Sequence, residues 1–99
     1  MPALFNKVTL IGIGLIGSSI ARVIKRDKIA KHLVAVAKSK KTINSVLELG
    51  IADSVTLNLS EAVKDADVVM LCSPLGTYKK IVREIGPNLK PGCILTDVG

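Results

Sequence analysis

The chain has 99 residues, 48% of them apolar, only two aromatic residues (Phe5 and Tyr78) and a net charge of +6. That apolar fraction excludes a disordered polymer, and the length suits one domain with a real core rather than a two-domain enzyme. Two aromatics cannot supply the stacking platforms that single-stranded nucleic acid needs, so no nucleic-acid partner is expected. The basic residues around Lys25, Arg26, Lys28 and Lys31, and at Lys79, Lys80, Arg83 and Lys90, read as solvated faces.

The first seven residues lack the apolar centre of a secretion signal. The uncharged run from Val8 to Ala21 is too short, and too interrupted by glycine and serine, to span a bilayer. No membrane association and a cytoplasmic location are expected. Lys7 to Ile11 reads as a buried strand, followed by Gly12, Gly14 and Gly17 in a G-x-G-x-x-G pattern. A helix is expected from about Leu15 to Arg26, its Ile16, Ile20, Val23 and Ile24 recurring at helical spacing. In such a strand-to-helix turn the first glycine permits the bend, the second admits phosphate to the backbone, and the third lets helix and strand pack closely. Gly12, Ile13, Gly14, Leu15, Ile16 and Gly17 are therefore the expected pyrophosphate cradle, with the free N–H groups and dipole of the helix holding the anion. Ser18 and Ser19 either add a phosphate contact or serve the helix end.

His32 to Ala37 reads as the second strand. A site for NAD places Asp or Glu at its end to bind the ribose 2'-hydroxyl. Here Ala37 is followed by Lys38, Ser39 and Lys40, which removes repulsion of a 2'-phosphate and supplies groups able to hold it, so NADP is favoured over NAD. Lys41, a turn further on, reads equally well as an unliganded loop charge. Ser39 can cap a helix whose Ile43, Val46, Leu47 and Leu49 share a face and which Gly50 stops.

A short strand is expected at Ser54 to Leu57, and a brief helix at Glu61 to Lys64 capped by Ser60. Val68 to Cys72 is the most apolar strand of the second half, closed by Ser73 and Pro74. Tyr78, Ile81, Val82 and Ile85 mark a helix that Gly86 and Pro87 end, and Ile94 to Thr96 is the last strand, running into Asp97. This alternation implies right-handed crossovers and five parallel strands in the order 3-2-1-4-5. The expectation is an α/β, doubly wound, Rossmann-type dinucleotide-binding domain over residues 1–99, the sixth strand of a full fold missing.

Ligands of such sheets gather at the carboxyl ends of the strands, near the reversal of strand order. Cys72, Ser73, Pro74, Leu75 and Asp97 are expected there, along the inner ribose and nicotinamide, although Pro74 also serves simply as a strand terminator. Cys72 reads as a small core residue, since nothing near it in sequence would lower its pKa. Cys72 and Cys93 should fall at opposite ends of neighbouring strands, so no disulfide is expected. His32, at the start of its strand, faces the wrong edge for a catalytic base. Asp53, Asp65 and Asp67 read as turn and boundary residues. No spacing of Cys, His, Asp and Glu points to a metal site, and no catalytic residue is identified.

The segments GIGLIGSSIA, ELGIAD, DADVVMLCSPL and ILTDVG together resemble the N-terminal nucleotide-binding domain of the prephenate/arogenate (cyclohexadienyl) dehydrogenase family, over essentially the whole chain. The resemblance implies oxidative decarboxylation of prephenate or arogenate in tyrosine biosynthesis, with hydride transfer to nicotinamide. Family members with an acid at the place of Ala37 resemble NAD users, and this sequence departs from them. In the family pattern a serine follows Asp-x-Gly, then a histidine comes later, and a helical C-terminal domain carries the substrate-carboxylate site and the homodimer interface. Asp97-Val98-Gly99 matches the start of that pattern, so the 99 residues alone are expected to hold cofactor without catalysing. Two other readings stay open: another hydride enzyme on this scaffold, such as a β-hydroxyacid dehydrogenase or a pyrroline-carboxylate reductase, and a stand-alone nucleotide-binding regulatory module.

Overall fold

Five strands, β1 (Phe5–Ile11), β2 (Ala30–Val36), β3 (Ser54–Thr56), β4 (Val68–Leu71) and β5 (Ile94–Asp97), pair in parallel in the order β3-β2-β1-β4-β5. The computed structural model describes residues 3–12, 15–72 and 78–97, with the side chains of Leu15 and Ile16 outside the description. The strands alternate with helices α1 (Leu15–Arg26), α2 (Lys40–Leu49), α3 (Leu59–Val63) and α4 (Tyr78–Ile85), and a 3-10 turn covers Gly86–Asn88. The expected order and fold class hold.

Strand order reverses between β1 and β4, so right-handed crossovers place α1 and α2 on one face of the sheet and α3 and α4 on the other. The packing follows. Ala21, Ile24 and Val46 from the first pair of helices close over Val8, Leu10, Leu33 and Ala35. Ala62, Val63 and Ile85 from the second pair close over Ile11, Val34, Val36, Val69 and Leu71. Leu10 and Leu33 are fully buried, each contributing about 1.5–3 kcal/mol relative to exposure. Thr9, buried on the second face, donates its hydroxyl proton to the Ala62 carbonyl at 2.6 Å and so ties α3 to the central strand.

Several boundaries differ from the sequence reading. β1 begins at Phe5, β2 runs from Ala30 to Val36, and β5 includes Asp97. Ser39 does cap α2, its hydroxyl accepting the Thr42 N–H, and Gly50 closes the helix. Leu47 and Leu49, however, are exposed while Val46 is buried. At about 100° per residue Leu47 and Leu49 stand about 160° apart, so no single helix face can hold both. The cap of α3 is Asn58, which accepts the Glu61 N–H at 3.0 Å, and the helix starts at Leu59; Ser60 lies within it. Val23 and Val82, expected on packed faces, are only partly covered, at 41% and 38% exposed. β5 is exposed along its whole length, including Ile94 and Leu95.

The acidic residues at the amino ends of the strands do more than mark turns. Asp67, just before β4, accepts the Asn6 N–H at 2.7 Å and pairs with Lys90, so one carboxylate joins the starts of β1, β4 and β5. Asp53 likewise accepts the Leu33 N–H at 2.7 Å and the Lys25 ammonium at 2.5 Å. Lys90, with the backbone N–H groups of Asn6 and Lys7, holds the Asp67 carboxyl below its usual pKa. A carboxylate whose folded pKa lies below its unfolded value adds stability above the unfolded pKa, and that stability is lost as pH falls through the folded one. Asp67→Asn is therefore expected to flatten the acid limb of a stability–pH curve measured by denaturant unfolding below about pH 4. A limb of unchanged slope would show that Asp67 takes no part in it.

Candidate functional site

At the carboxyl edge of the sheet, β1 is followed by Gly12, whose φ of 90° lies where residues with a side chain are strained. Its N–H donates to the Val36 carbonyl at 3.0 Å, so the first glycine of the turn is bound to β2. The phosphate-directed donors must then come from the residues that follow and from the first turn of α1, where backbone N–H groups have no helical partner. That turn contains no acid, and Lys25 and Arg26 lie in the last turn, an arrangement that leaves the amino end open to an anion. Leu15 and Ile16 open the helix. Ile13 and Gly14 lie outside the described residues.

Gly17 is buried where α1 crosses the end of the sheet. A Cβ placed on it would stand 2.9 Å from the Gly12 carbonyl oxygen and 3.4 Å from the Cys72 Cβ. The third glycine thus permits the close helix–strand approach that the spacing predicts. Cys72 is fixed opposite it, its N–H donating to the Ile11 carbonyl at 2.8 Å. Burial pushes the Cys72 thiol up in pKa, in keeping with a packed small residue rather than a nucleophile. Cys72 and Cys93 are both free thiols, following β4 and preceding β5, at opposite ends of that strand pair.

The tip of β2 lies beside the glycine turn. Ala37, 5% exposed, is anchored by its N–H to the Thr56 carbonyl at 3.0 Å. Gly12, Ala37 and Lys38 line one cleft of about 320 Å³, with Ile11 and Val36 also contributing. Leu57 and Leu59 line it too, as do Lys80, Ile81 and Glu84 of α4. Ser39 and Lys40 stand beside the cleft at the amino end of α2, with the Ser39 oxygen engaged by the Thr42 N–H. A larger cleft of about 400 Å³ lies between α1 and β4, lined by Phe5, Ile20, Val23 and Met70 among others. Ser19 is the one polar residue among its described lining residues, and none of these is a cation.

The sequence-predicted residues are thus only partly gathered. Gly12, Gly17, Ala37, Lys38 and Cys72 meet at the carboxyl edge, with Ser39 and Lys40 adjoining. Asp97 ends β5 in register with Leu71, exposed and outside that cleft. Ser73, Pro74 and Leu75 lie outside the described residues. Tyr78, at the start of α4, donates its hydroxyl to the Leu71 carbonyl at 3.0 Å and holds that helix to the same edge. Lys80, which the sequence places on a solvated face, and Glu84 join the cleft lining, and nothing in sequence links them to Lys38 some 40 positions earlier. His32 sits at the amino end of β2, 2.8 Å from the Ser54 hydroxyl and away from the cleft. Among the described residues no group of three or more His, Cys, Asp or Glu could hold a metal, and no helix is long and apolar enough to cross a membrane.

A parallel sheet in this order, a glycine-bound turn at the strand reversal and a close-packed first helix define a nucleotide-binding Rossmann domain. Residues 20–99 match the family model described as "Prephenate dehydrogenase, nucleotide-binding domain", and the chain belongs to that family. It is 34% identical over 95 residues to the cyclohexadienyl dehydrogenase of Zymomonas mobilis, an alignment covering 96% of this chain and 32% of that protein. The crystal structure of Synechocystis arogenate dehydrogenase superposes with a TM-score of 0.85 at 29% identity, covering 94% of this chain and 32% of that one. The A. aeolicus prephenate dehydrogenase, in complex with hydroxyphenyl propionate and NAD+, gives a TM-score of 0.84 at 25% identity, covering 93% of this chain and 32% of that one. The chain therefore spans about a third of the length of these relatives.

Proposed function

We propose that these 99 residues are the NADP-binding part of a prephenate or arogenate dehydrogenase. Gly12 to Gly17 and the amino end of α1 would cradle the pyrophosphate, and the cleft beside Ala37 would take the adenosine end. Lys38, with Ser39 and Lys40, would hold the 2'-phosphate. Cys72, Ser73, Pro74, Leu75 and Asp97 would flank the inner ribose and nicotinamide. The cradle fits the group: Gly17 keeps open a helix–strand approach that a single Cβ would obstruct. When bound, nicotinamide accepts the hydride lost as the substrate ring decarboxylates and aromatises. The protein's part is to fix the cofactor ring where a substrate can reach it.

The observation that carries the choice of NADP is Ala37 itself, a cleft residue without charge where an NAD site needs a carboxylate. By the family relation we place the reaction in tyrosine biosynthesis, in a cytoplasmic homodimer whose substrate groups lie in sequence that this chain does not match. Titrating NADPH and NADH in parallel at low salt tests the cofactor assignment. NADPH should bind at least about tenfold tighter, and Lys38→Met with Lys40→Met should remove most of that margin, each charge-assisted contact being worth roughly 1.5–3 kcal/mol. Equal affinities, or a preference untouched by the replacements, would overturn it. Turnover of prephenate or arogenate by the 99-residue chain alone would overturn the division of labour.

A further inference from the structure

We propose that Lys80, which lines the cleft from α4, is a second specificity-determining cation for the 2'-phosphate. The inference rests on the NADP reading above. A 2'-phosphate carries about 1.5 to 2 negative charges near neutral pH and gains a charge-assisted hydrogen bond from each cation within reach. The tip of β2 brings only one lysine into the cleft, Lys38, since Ser39 and Lys40 stand outside its lining. The Ser39 oxygen accepts the Thr42 N–H at the α2 cap, and its hydroxyl brings a donor but no charge. Lys80, on α4, lines the same 320 Å³ space as Ala37 and Lys38.

Among the described residues neither Lys38 nor Lys80 forms an ion pair, in contrast to Lys25 and Lys90, which are held by Asp53 and Asp67. Glu84, one helical turn beyond Lys80, is the one acid among the described lining residues, so two lysines leave the cleft with a positive excess. The flexible stem of a lysine lets its ammonium meet a phosphate without the fixed geometry an arginine would require. Tyr78 anchors the start of α4 to the Leu71 carbonyl, two residues before Lys80, so the helix wall that presents this cation is tied to the sheet.

The test compares adenosine 2',5'-bisphosphate with adenosine 5'-monophosphate by calorimetric titration, because their affinity ratio isolates the 2'-phosphate. In the unaltered chain the bisphosphate should bind more tightly. Lys80→Met should cut the ratio about tenfold, leaving the monophosphate affinity unchanged. Lys79→Met removes an equal charge one residue earlier and outside the cleft, and should preserve the ratio. A wild-type preference that survived Lys80→Met would overturn the role of Lys80 while leaving the NADP reading intact. An equal loss in both variants would also overturn it, by reducing the effect to general charge. No preference in the unaltered chain would overturn both readings.

Discussion

Gly17→Ala should destabilise the domain by about 1–3 kcal/mol, as expected for overpacking, and weaken dinucleotide binding by tenfold or more. The added Cβ would meet the Gly12 carbonyl oxygen at 2.9 Å and the Cys72 Cβ at 3.4 Å. Neither neighbour yields easily. Gly12 is bound through its N–H to Val36, and Cys72 through its N–H to Ile11. The strain is therefore relieved by displacing α1, whose amino end supplies the phosphate-directed donors. In a domain of this size each kcal/mol lowers the thermal midpoint by roughly 4–8 °C. Circular-dichroism melting and NADPH titration read the two effects. Gly86→Ala, where an added Cβ meets nothing within 4 Å, serves as the near-neutral control. If Gly17→Ala melted and bound like the unaltered chain, the close approach would have no functional weight.

Ala37→Asp should lower NADPH affinity about a hundredfold and raise that for NADH severalfold. The residue is 5% exposed, fixed by the bond to Thr56, and lines the cleft. A carboxylate there would stand beside the proposed 2'-phosphate, where repulsion of roughly 3 kcal/mol corresponds to that hundredfold loss. The same carboxylate could accept a hydrogen bond from the free 2'-hydroxyl of NADH. Ala37→Asn, which adds bulk without charge, should keep most of the NADPH affinity. Stronger NADH binding in the Asp variant would show that the fold tolerates the change. An unaltered NADPH affinity would place the 2'-phosphate elsewhere.

Much of this architecture was legible because it depends on local chemistry. The glycine spacing located the turn, Ser39 and Gly50 bracketed α2, and the runs at Lys7 to Ile11 and Val68 to Cys72 identified central strands. The errors fell where neighbouring residues compete for the same task. Asn58 and Ser60 are both competent caps, and only the path of the chain out of β3 decides between them. Leu47 and Leu49 look as apolar as Val46, yet of the three only Val46 falls on the arc that α2 turns to the sheet.

By itself the sequence determined the class of fold, the family and the chemical character of the β2 tip, because these follow from periodicity, the φ freedom of glycine and the charge of consecutive residues. Only the tertiary structure decided that Asp67 joins three strand starts and that Gly17 touches both Gly12 and Cys72. It alone brought Lys80 into the cleft of Lys38. Those contacts arise between segments separated by up to 61 positions, as between Asn6 and Asp67. The crossovers that bring them together are set by how helices pack on a twisted sheet, which no local run of residues encodes.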